Sequence, residues 1–187
     1  MPIVDDIVGL RRIMTTAKSL AVVGISANWY RPSYFAAKYM LDHGYRIYPV
    51  NPNYAEVLGQ RCYPDVASIP DRIDIVDCFR KPNEIAPLAQ AAVAKGAKVL
   101  WMQLGIRNDD AAKLAADAGL DVVMDRCVKI EHARILGGLN WAGVNTGVIS
   151  SHRPAPGTGN PASRRAAPRE ACSPSGGSER SERGGRH

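Results

Sequence analysis

The 187-residue sequence lacks several patterns that would assign it to a well-defined class. Its four cysteines include no pair at C-x-x-C spacing, so the sequence does not indicate a zinc site. No apolar run approaches the ~20 residues that a membrane helix requires. The acidic N-terminus also lacks a signal-peptide pattern. We therefore expect a cytoplasmic protein that works in a reducing compartment and has no membrane partner.

Two nucleotide-binding fingerprints are also missing. The P-loop pattern G-x-x-x-x-G-K-[ST] does not occur, which disfavours ATP hydrolysis of that type. The dinucleotide pattern G-x-G-x-x-G is reduced to one glycine, Gly24. The position after the second apolar run, where an acidic residue would hold the ribose of NAD, is occupied by Asn51 and Pro52. Ordinary NAD binding is therefore disfavoured.

Residues 151–187 contain no Val, Ile, Leu, Met, Phe, Trp or Tyr. Gly, Pro, Ser and Arg make up 24 of these 37 residues, and such a segment cannot bury enough apolar surface to offset its ordering entropy. It also carries +4 of the net charge of +6, so the basic pI does not indicate a nucleic-acid partner for the rest of the chain. We predict one domain over residues 1–140 and a flexible Gly/Pro/Ser/Arg-rich tail over residues 141–187.

The first 140 residues alternate strand-like and helix-like segments. Five apolar runs start 22 to 28 residues apart, at residues 20–25, 45–50, 73–79, 98–104 and 120–124. Continuous apolar strands are typical of a parallel sheet that is covered on both faces. The pattern predicts an α/β fold, with a single Rossmann-like, doubly wound, five-stranded parallel sheet and flanking helices. Between the second and third runs we predict a long loop with one short helix near residues 65–68.

Ligands of such sheets bind beyond the carboxyl ends of the strands. After the first strand, Gly24 begins a polar loop that leads to a helix start at Pro32 and Ser33. This arrangement places backbone N–H groups and a helix N-terminus against a phosphate. Cations that suit a ligand with several phosphates, such as coenzyme A or NADP, follow the strands. They are Arg31, Arg80, Lys81, Arg107, Arg126 and Lys129.

Six short motifs follow one another in an order that resembles a known family. They are Gly24-Ile25-Ser26, Arg31-Pro32-Ser33, Tyr48-Pro49-Val50-Asn51-Pro52, Phe79-Arg80-Lys81-Pro82, Gln103-Leu104-Gly105, and Asp125-Arg126-Cys127-Val128-Lys129-Ile130-Glu131-His132. Over about residues 7–138 the chain resembles the small stand-alone CoA-binding proteins. These are similar to the N-terminal CoA-binding domain of the succinyl-CoA synthetase alpha subunit.

The resemblance implies three groups of cofactor-binding residues. The phosphates of CoA are expected over Gly24, Ile25, Ser26, Asn28, Arg31, Pro32 and Ser33. The adenosine side is implied for Asn51, Pro52, Phe79, Arg80, Lys81 and Pro82. The pantetheine side is implied for Gln103, Gly105, Arg126, Cys127 and Lys129.

The function that we predict is non-covalent binding of coenzyme A or an acyl-CoA by a sensor, carrier or regulatory module. Ligase activity is disfavoured, because this sequence shows neither the phosphohistidine domain nor the ATP-grasp domain of the CoA ligases. One alternative is an NADP- or CoA-dependent enzyme in which Cys127 or His132 reacts. Another is weak RNA binding by the Arg-rich tail, although this tail has no aromatic side chains for stacking. We assign no catalytic residue and no metal ligand.

Overall fold

A computed structural model describes residues 3–137; the tail predicted over residues 141–187 lies outside them. The strands are β1 (Ser19–Val23), β2 (Arg46–Val50), β3 (Glu56–Val57), β4 (Gln60–Arg61), β5 (Ile75–Cys78), β6 (Val99–Met102) and β7 (Asp121–Val123). The helices are α1 (Ile7–Thr16), α2 (Pro32–Asp42), α3 (Ile85–Lys95), α4 (Asp109–Asp117) and α5 (Val128–Ile135), with a 3-10 turn (Pro82–Glu84) before α3.

Five of the strands form one parallel sheet in the order β2-β1-β5-β6-β7. One hydrophobic core lies between this sheet and α1, α2 and α5, and a second lies between its other face and α3 and α4. The doubly wound fold predicted from the sequence is confirmed.

The apolar runs follow from burial on both faces of the sheet. All five residues of β1 are buried. Leu20 and Val22 contribute to the core under α1, α2 and α5, while Ala21 and Val23 contribute to the opposite core. A central strand with no solvent-facing side has no position where a polar side chain is favoured, so its sequence does not alternate between apolar and polar residues.

The strand order creates a crevice at the carboxyl edge of the sheet. The chain leaves β1 toward α2 on one face, whereas it leaves the neighbouring strand β5 toward α3 on the other face. Loops that diverge in this way leave an opening between them, and ligands of open α/β sheets bind at such points.

The segment between β2 and β5 differs from the prediction. The short helix expected near residues 65–68 is wrong: a turn forms there, because the backbone N–H and the hydroxyl of Ser68 both donate to Asp65 Oδ1 at 2.7 Å. The antiparallel hairpin of β3 and β4 was not predicted. In its turn, Leu58 and Gly59 have φ of 59° and 70°. Turns with two positive φ values are usually predicted from an Asn-Gly sequence, and Leu-Gly is not such a pattern.

Among residues 3–137, no helix is long and apolar enough to cross a bilayer. The same residues do not bring three His, Cys, Asp or Glu side chains together in a group that could hold a metal ion.

Candidate ligand site at the carboxyl edge of the sheet

The turn after β1 is built around Gly24. Its φ is +82°, and its N–H donates to the carbonyl of Val50 at 2.9 Å. A Cβ at this position would lie 2.5 Å from the carbonyl oxygen of Phe79 and 3.0 Å from Nε of Arg80. The turn therefore requires glycine, because the chain leaving β5 passes directly against it.

A chain of short-range hydrogen bonds orders the loop between Gly24 and α2. The N–H of Ser26 donates to Ser33 Oγ at 3.1 Å, and the Ser26 hydroxyl accepts the N–H of Asn28 at 3.1 Å. The side-chain carbonyl of Asn28 accepts the N–H of Tyr30 at 3.0 Å. These bonds fold the loop onto the start of α2, with the Tyr30 ring exposed beside that of Trp29.

The N-terminus of α2 is not capped by a side chain. Asp6 and Asn108 cap α1 and α4 by accepting backbone N–H groups, but Arg31, which precedes α2, makes no such bond. Pro32 supplies no N–H, and the N–H of Ser33 has no acceptor among residues 3–137. The positive end of the helix dipole is therefore open to an anion, with the exposed Arg31 beside it.

Two cavities open along this edge, and Arg80 lines both of them. The larger, of about 620 Å³, is lined by Val23, Val50, Pro52, Pro64, Asp65, Val66, Ala67, Arg80, Asn83, Glu84, Pro87, Leu88 and Ala91. The smaller, of about 470 Å³, is lined by Pro32, Phe79, Arg80, Lys81, Pro82, Gln103, Leu104 and Ile106. Together they extend from the end of β2, past the β1 turn, to the loop after β6.

The two cavities bring together part of the residue set that the sequence singles out. Pro52 lies in the larger cavity, and Phe79, Lys81 and Pro82 lie in the smaller one with Pro32 and Gln103. The remaining residues of the set line neither cavity. They are Gly24, Ile25, Ser26, Asn28, Arg31, Ser33, Asn51, Gly105, Arg126, Cys127 and Lys129.

Asn51 has a structural task at the end of β2. Its Nδ2 donates to the carbonyl of Ile25 at 2.7 Å, and its Oδ1 accepts the N–H of Asn53 at 3.0 Å. The amide therefore ties the end of β2 to the β1 turn. An Asp here could not donate to the Ile25 carbonyl, so the local hydrogen bonding disfavours the acidic residue that holds the ribose in NAD-binding sheets.

The cations at this edge differ in how far they are already paired. Arg126 donates to Glu131 Oε1 at 3.2 Å and to the carbonyl of Asp5 at 2.9 Å. Arg80 is 3.9 Å from a Glu84 oxygen, and Arg107 is 3.7 Å from an Asp109 oxygen. Three further cations have no carboxylate partner among residues 3–137. They are Arg31, Lys81 and Lys129.

The loops after β6 and β7 are joined at Gly105. This residue has φ of +82°, and its N–H donates to Asp125 Oδ1 at 2.6 Å. Asp125 itself has φ of 54°, a conformation that is strained for a residue other than glycine. The contact fixes the path of the β6 loop, which forms one wall of the smaller cavity.

Cys127 precedes α5 and lines neither cavity. Burial is the main cause that raises the pKa of its thiol, against the smaller influence of backbone N–H groups and Lys129. The nucleophilic thiolate is therefore disfavoured at neutral pH.

His132 lies at the opposite edge of the sheet, away from both cavities. Its Nδ1 is 3.2 Å from the Tyr39 hydroxyl, and its ring packs against those of His43 and Tyr45. It lines a separate cavity of about 300 Å³ near the amino ends of β1 and β2. Burial lowers the pKa of His132, and the Tyr39 hydroxyl is its side-chain hydrogen-bond partner among residues 3–137.

Sequence reasoning missed two parts of this edge. The first is one side of α3, where Pro87, Leu88 and Ala91 line the larger cavity; their helical spacing is visible in the sequence but does not say which strand ends they face. The second is Asp77, a carboxyl in an apolar strand whose side chain bonds to Gln103. An acid inside a fully buried run is a signal that the sequence does contain.

The parallel sheet, its glycine turn and the crevice at its carboxyl edge define a Rossmann-like α/β domain. Residues 18–133 match a family model described as a CoA binding domain. Because this match spans more than half of the sequence, the chain belongs to that CoA-binding family.

Two relatives that this chain covers almost completely carry no assigned activity in their names. The chain is 36% identical over 124 residues to the uncharacterized protein YneT of Bacillus subtilis, covering 66% of this chain and 92% of that protein. A structure of a hypothetical protein from Pyrococcus horikoshii matches with a TM-score of 0.70 and 44% identity, covering 73% of this chain and 98% of that one.

Longer relatives include enzymes. The chain is 37% identical over 84 residues to acetate–CoA ligase (ADP-forming) II of Archaeoglobus fulgidus. That match covers 43% of this chain and 12% of the ligase, so it concerns a small part of the enzyme.

Proposed function

We propose that this chain binds coenzyme A, free or as an acyl-CoA, non-covalently at the carboxyl edge of its sheet. The observation that carries the proposal is the position of Arg80, which lines two cavities and lies against the Gly24 turn. A ligand that fills both cavities must cross this turn, where the uncapped start of α2 offers the N–H of Ser33. Coenzyme A has the matching layout, with phosphates between a base and a long flexible arm.

The lining of each cavity suggests how the ligand lies. The larger cavity offers apolar surface from Val23, Val50 and Leu88, which suits the flat adenine ring, so we assign adenosine to it. The smaller cavity combines apolar surface from Phe79 and Ile106 with the amide of Gln103. Such a mixture suits the pantetheine arm, which alternates methylene groups with amides.

Charge supports the same orientation. Arg31 beside the start of α2 and Arg80 between the cavities flank the position that we assign to the diphosphate. Lys81, which lines the smaller cavity and has no carboxylate partner among residues 3–137, adds a third positive charge along this edge. Phosphate groups gain most from cations that are not already paired.

We further propose a binding module, acting as a sensor, carrier or regulator, in preference to an enzyme. The pKa of Cys127 is raised, and His132 lies at the far edge of the sheet, so neither side chain forms an activated pair near the cavities. The acetate–CoA ligase to which the chain is similar matches it over 12% of that enzyme's length, so the similarity does not extend to most of the ligase.

Calorimetric titration of the full chain with CoA, NADP and NAD tests the proposal. We expect saturable binding of CoA and weaker or absent binding of the two dinucleotides. The Arg31→Ala substitution should weaken CoA binding by about tenfold, since a hydrogen-bonded charge pair with phosphate contributes roughly 1.5 kcal/mol. Arg11→Ala is the matched control, because Arg11 is exposed on α1 and lines neither cavity.

The outcomes separate the candidate functions. Equal loss of affinity in the Arg31 and Arg11 variants would point to a general charge effect and remove the α2 start from the site. Absence of CoA binding would overturn the proposal, and tighter binding of NADP would favour a nicotinamide-dependent enzyme.

A further inference from the structure

Asp77 is a buried acid without a counter-charge. Its residue is 1% exposed in the centre of the sheet, and its side chain has no cationic partner among residues 3–137. Within the described part of the chain, the one side-chain donor to it is Nε2 of Gln103, at 2.7 Å. A carboxylate in such a place depends heavily on that one donor.

Gln103 connects this acid to the ligand cavity. Gln103 is only 3% exposed, yet it lines the 470 Å³ cavity. Nε2 donates to Asp77, and the other end of the amide, Oε1, has no hydrogen-bond partner among the described residues. No fully buried side-chain oxygen in that part of the chain lacks a partner, so Oε1 is not fully buried, and the 470 Å³ cavity is the one that Gln103 lines.

Few other titratable groups act on Asp77. Cys78, next to it on β5, and Cys127 at the start of α5 are the groups whose titration is coupled to its charge. Their thiols stay neutral near pH 7, since burial raises the pKa of both. Lys129 on α5 acts on Cys127, and Arg126, which precedes Cys127, is paired with Glu131. The strand neighbours in register, Val22 and Trp101, carry no charge.

We propose that Asp77 is a positioning residue that sets which end of the Gln103 amide faces the ligand. The inference rests on the proposed binding of CoA in the smaller cavity. An ionised carboxylate only accepts hydrogen bonds, so it holds Nε2 inward and presents Oε1 to the cavity. That oxygen accepts an N–H of the pantetheine arm. A protonated Asp77 has its own O–H, which can donate to Oε1. The amide then flips, and its NH2 group (Nε2) faces the cavity.

The direction of the pH effect follows from linkage. Burial raises the pKa of Asp77 to about 7, with the Gln103 bond as an opposing influence. A ligand N–H that binds Oε1 favours the inward Nε2 and hence the ionised acid, so binding releases a proton from Asp77. Affinity for the pantetheine arm should therefore rise as the pH rises through about 7.

The first test uses the full chain without ligand. The side-chain amide resonances of Gln103 are followed by nitrogen–proton NMR from pH 5 to 9, in the wild-type chain and in Asp77→Asn. We expect a transition near neutral pH in the wild type and none in the variant, whose isosteric amide does not titrate. A Gln103 signal that is pH-independent in the wild type, or that titrates equally in both chains, overturns the proposal.

The second test measures the dissociation constant of CoA over the same pH range. CoA has its own titrating phosphate, so the informative quantity is the ratio of the wild-type and Asp77→Asn affinities at each pH. This ratio should increase by about threefold to tenfold from pH 6 to pH 8, the size of one neutral hydrogen bond. Asp42→Asn, which removes an exposed acid at the end of α2, is the control and should follow the wild type.

The two proposals fail in different ways. If neither chain binds CoA at any pH, the proposed function fails, while the NMR titration still decides the role of Asp77. If CoA binds but the ratio is constant with pH, CoA remains the ligand and the positioning role of Asp77 is overturned.

Discussion

At the scale of single residues, Gly24 is the position where fold and candidate site constrain each other most. An alanine at this position would have to adopt a left-handed backbone conformation. Its Cβ would also lie 2.5 Å from the backbone carbonyl oxygen of Phe79. We expect Gly24→Ala to lower the free energy of unfolding by about 2–3 kcal/mol, since the strain alone amounts to roughly 1–2 kcal/mol. We also expect a loss of CoA affinity, measured by denaturation and titration respectively.

Gly119 provides the control for the conformational part of this effect. It has φ of +92°, but a Cβ there would meet nothing within 4 Å. Gly119→Ala should lose about 1 kcal/mol of stability and keep its CoA affinity. If both variants lose affinity to the same extent, general destabilisation explains the loss and the close approach at Gly24 does not.

Single residues also differ in how far their contacts could be predicted from the sequence. The glycine turn at Gly24 could be predicted because the turn and the helix start are adjacent in the chain, whereas the close approach of Phe79 to Gly24 could not. The bond between Asp77 and Gln103 could not, because it joins residues 26 positions apart whose meeting depends on β5 and β6 being neighbours. The pairing of Arg126 with Glu131 could not be predicted either, because the sequence shows that Arg126 is charged but not which way its side chain points.

At the scale of elements, α5 is held to the N-terminal segment by a buried ionic group. Glu131, which is 2% exposed, accepts from Arg126 and from the buried Arg134, and Arg126 also donates to the carbonyl of Asp5. Removing one partner from such a group leaves a buried charge uncompensated. The group therefore fixes how α5 and its start at Cys127 lie against the sheet.

We expect Glu131→Ala to lower the free energy of unfolding by about 3–5 kcal/mol, the usual cost of breaking a buried ion pair. Denaturant unfolding measures this, with Asp42→Ala as the control. Asp42 pairs with Lys38 on the exposed face of α2, and its loss should cost at most about 1 kcal/mol. Similar losses in both variants would show that the buried group contributes no more than a surface pair.

Elements differed in how well they could be predicted. The five sheet strands were predictable because each is buried on both faces and reads as an apolar run. The β3–β4 hairpin was not, because each strand has two residues and Leu58 occupies a left-handed position. The larger cavity could not be predicted from the sequence either, because α3 meets the ends of β1 and β2 only in the folded domain.

At the scale of the whole molecule, the candidate site lies within the segment that matches the CoA-binding family. Both cavities and the β1 turn are formed by residues between 23 and 106, inside the matched range of 18–133. The Arg-rich segment 151–187 lies beyond this range and contains no large apolar residue. Its contribution to binding is therefore a separate question from that of the domain.

We predict that removing residues 151–187 leaves the CoA dissociation constant unchanged within about twofold. The segment has no large apolar or aromatic side chain to pack against a ligand, and each of its charges contributes little when it is exposed and screened by salt. Titration of the full and shortened chains at low and moderate salt measures this. If the tail holds the phosphates, affinity will instead fall on truncation, and the full chain will show the steeper salt dependence. A parallel titration with single-stranded RNA tests the alternative, because binding through the tail must weaken steeply with salt and vanish in the shortened chain.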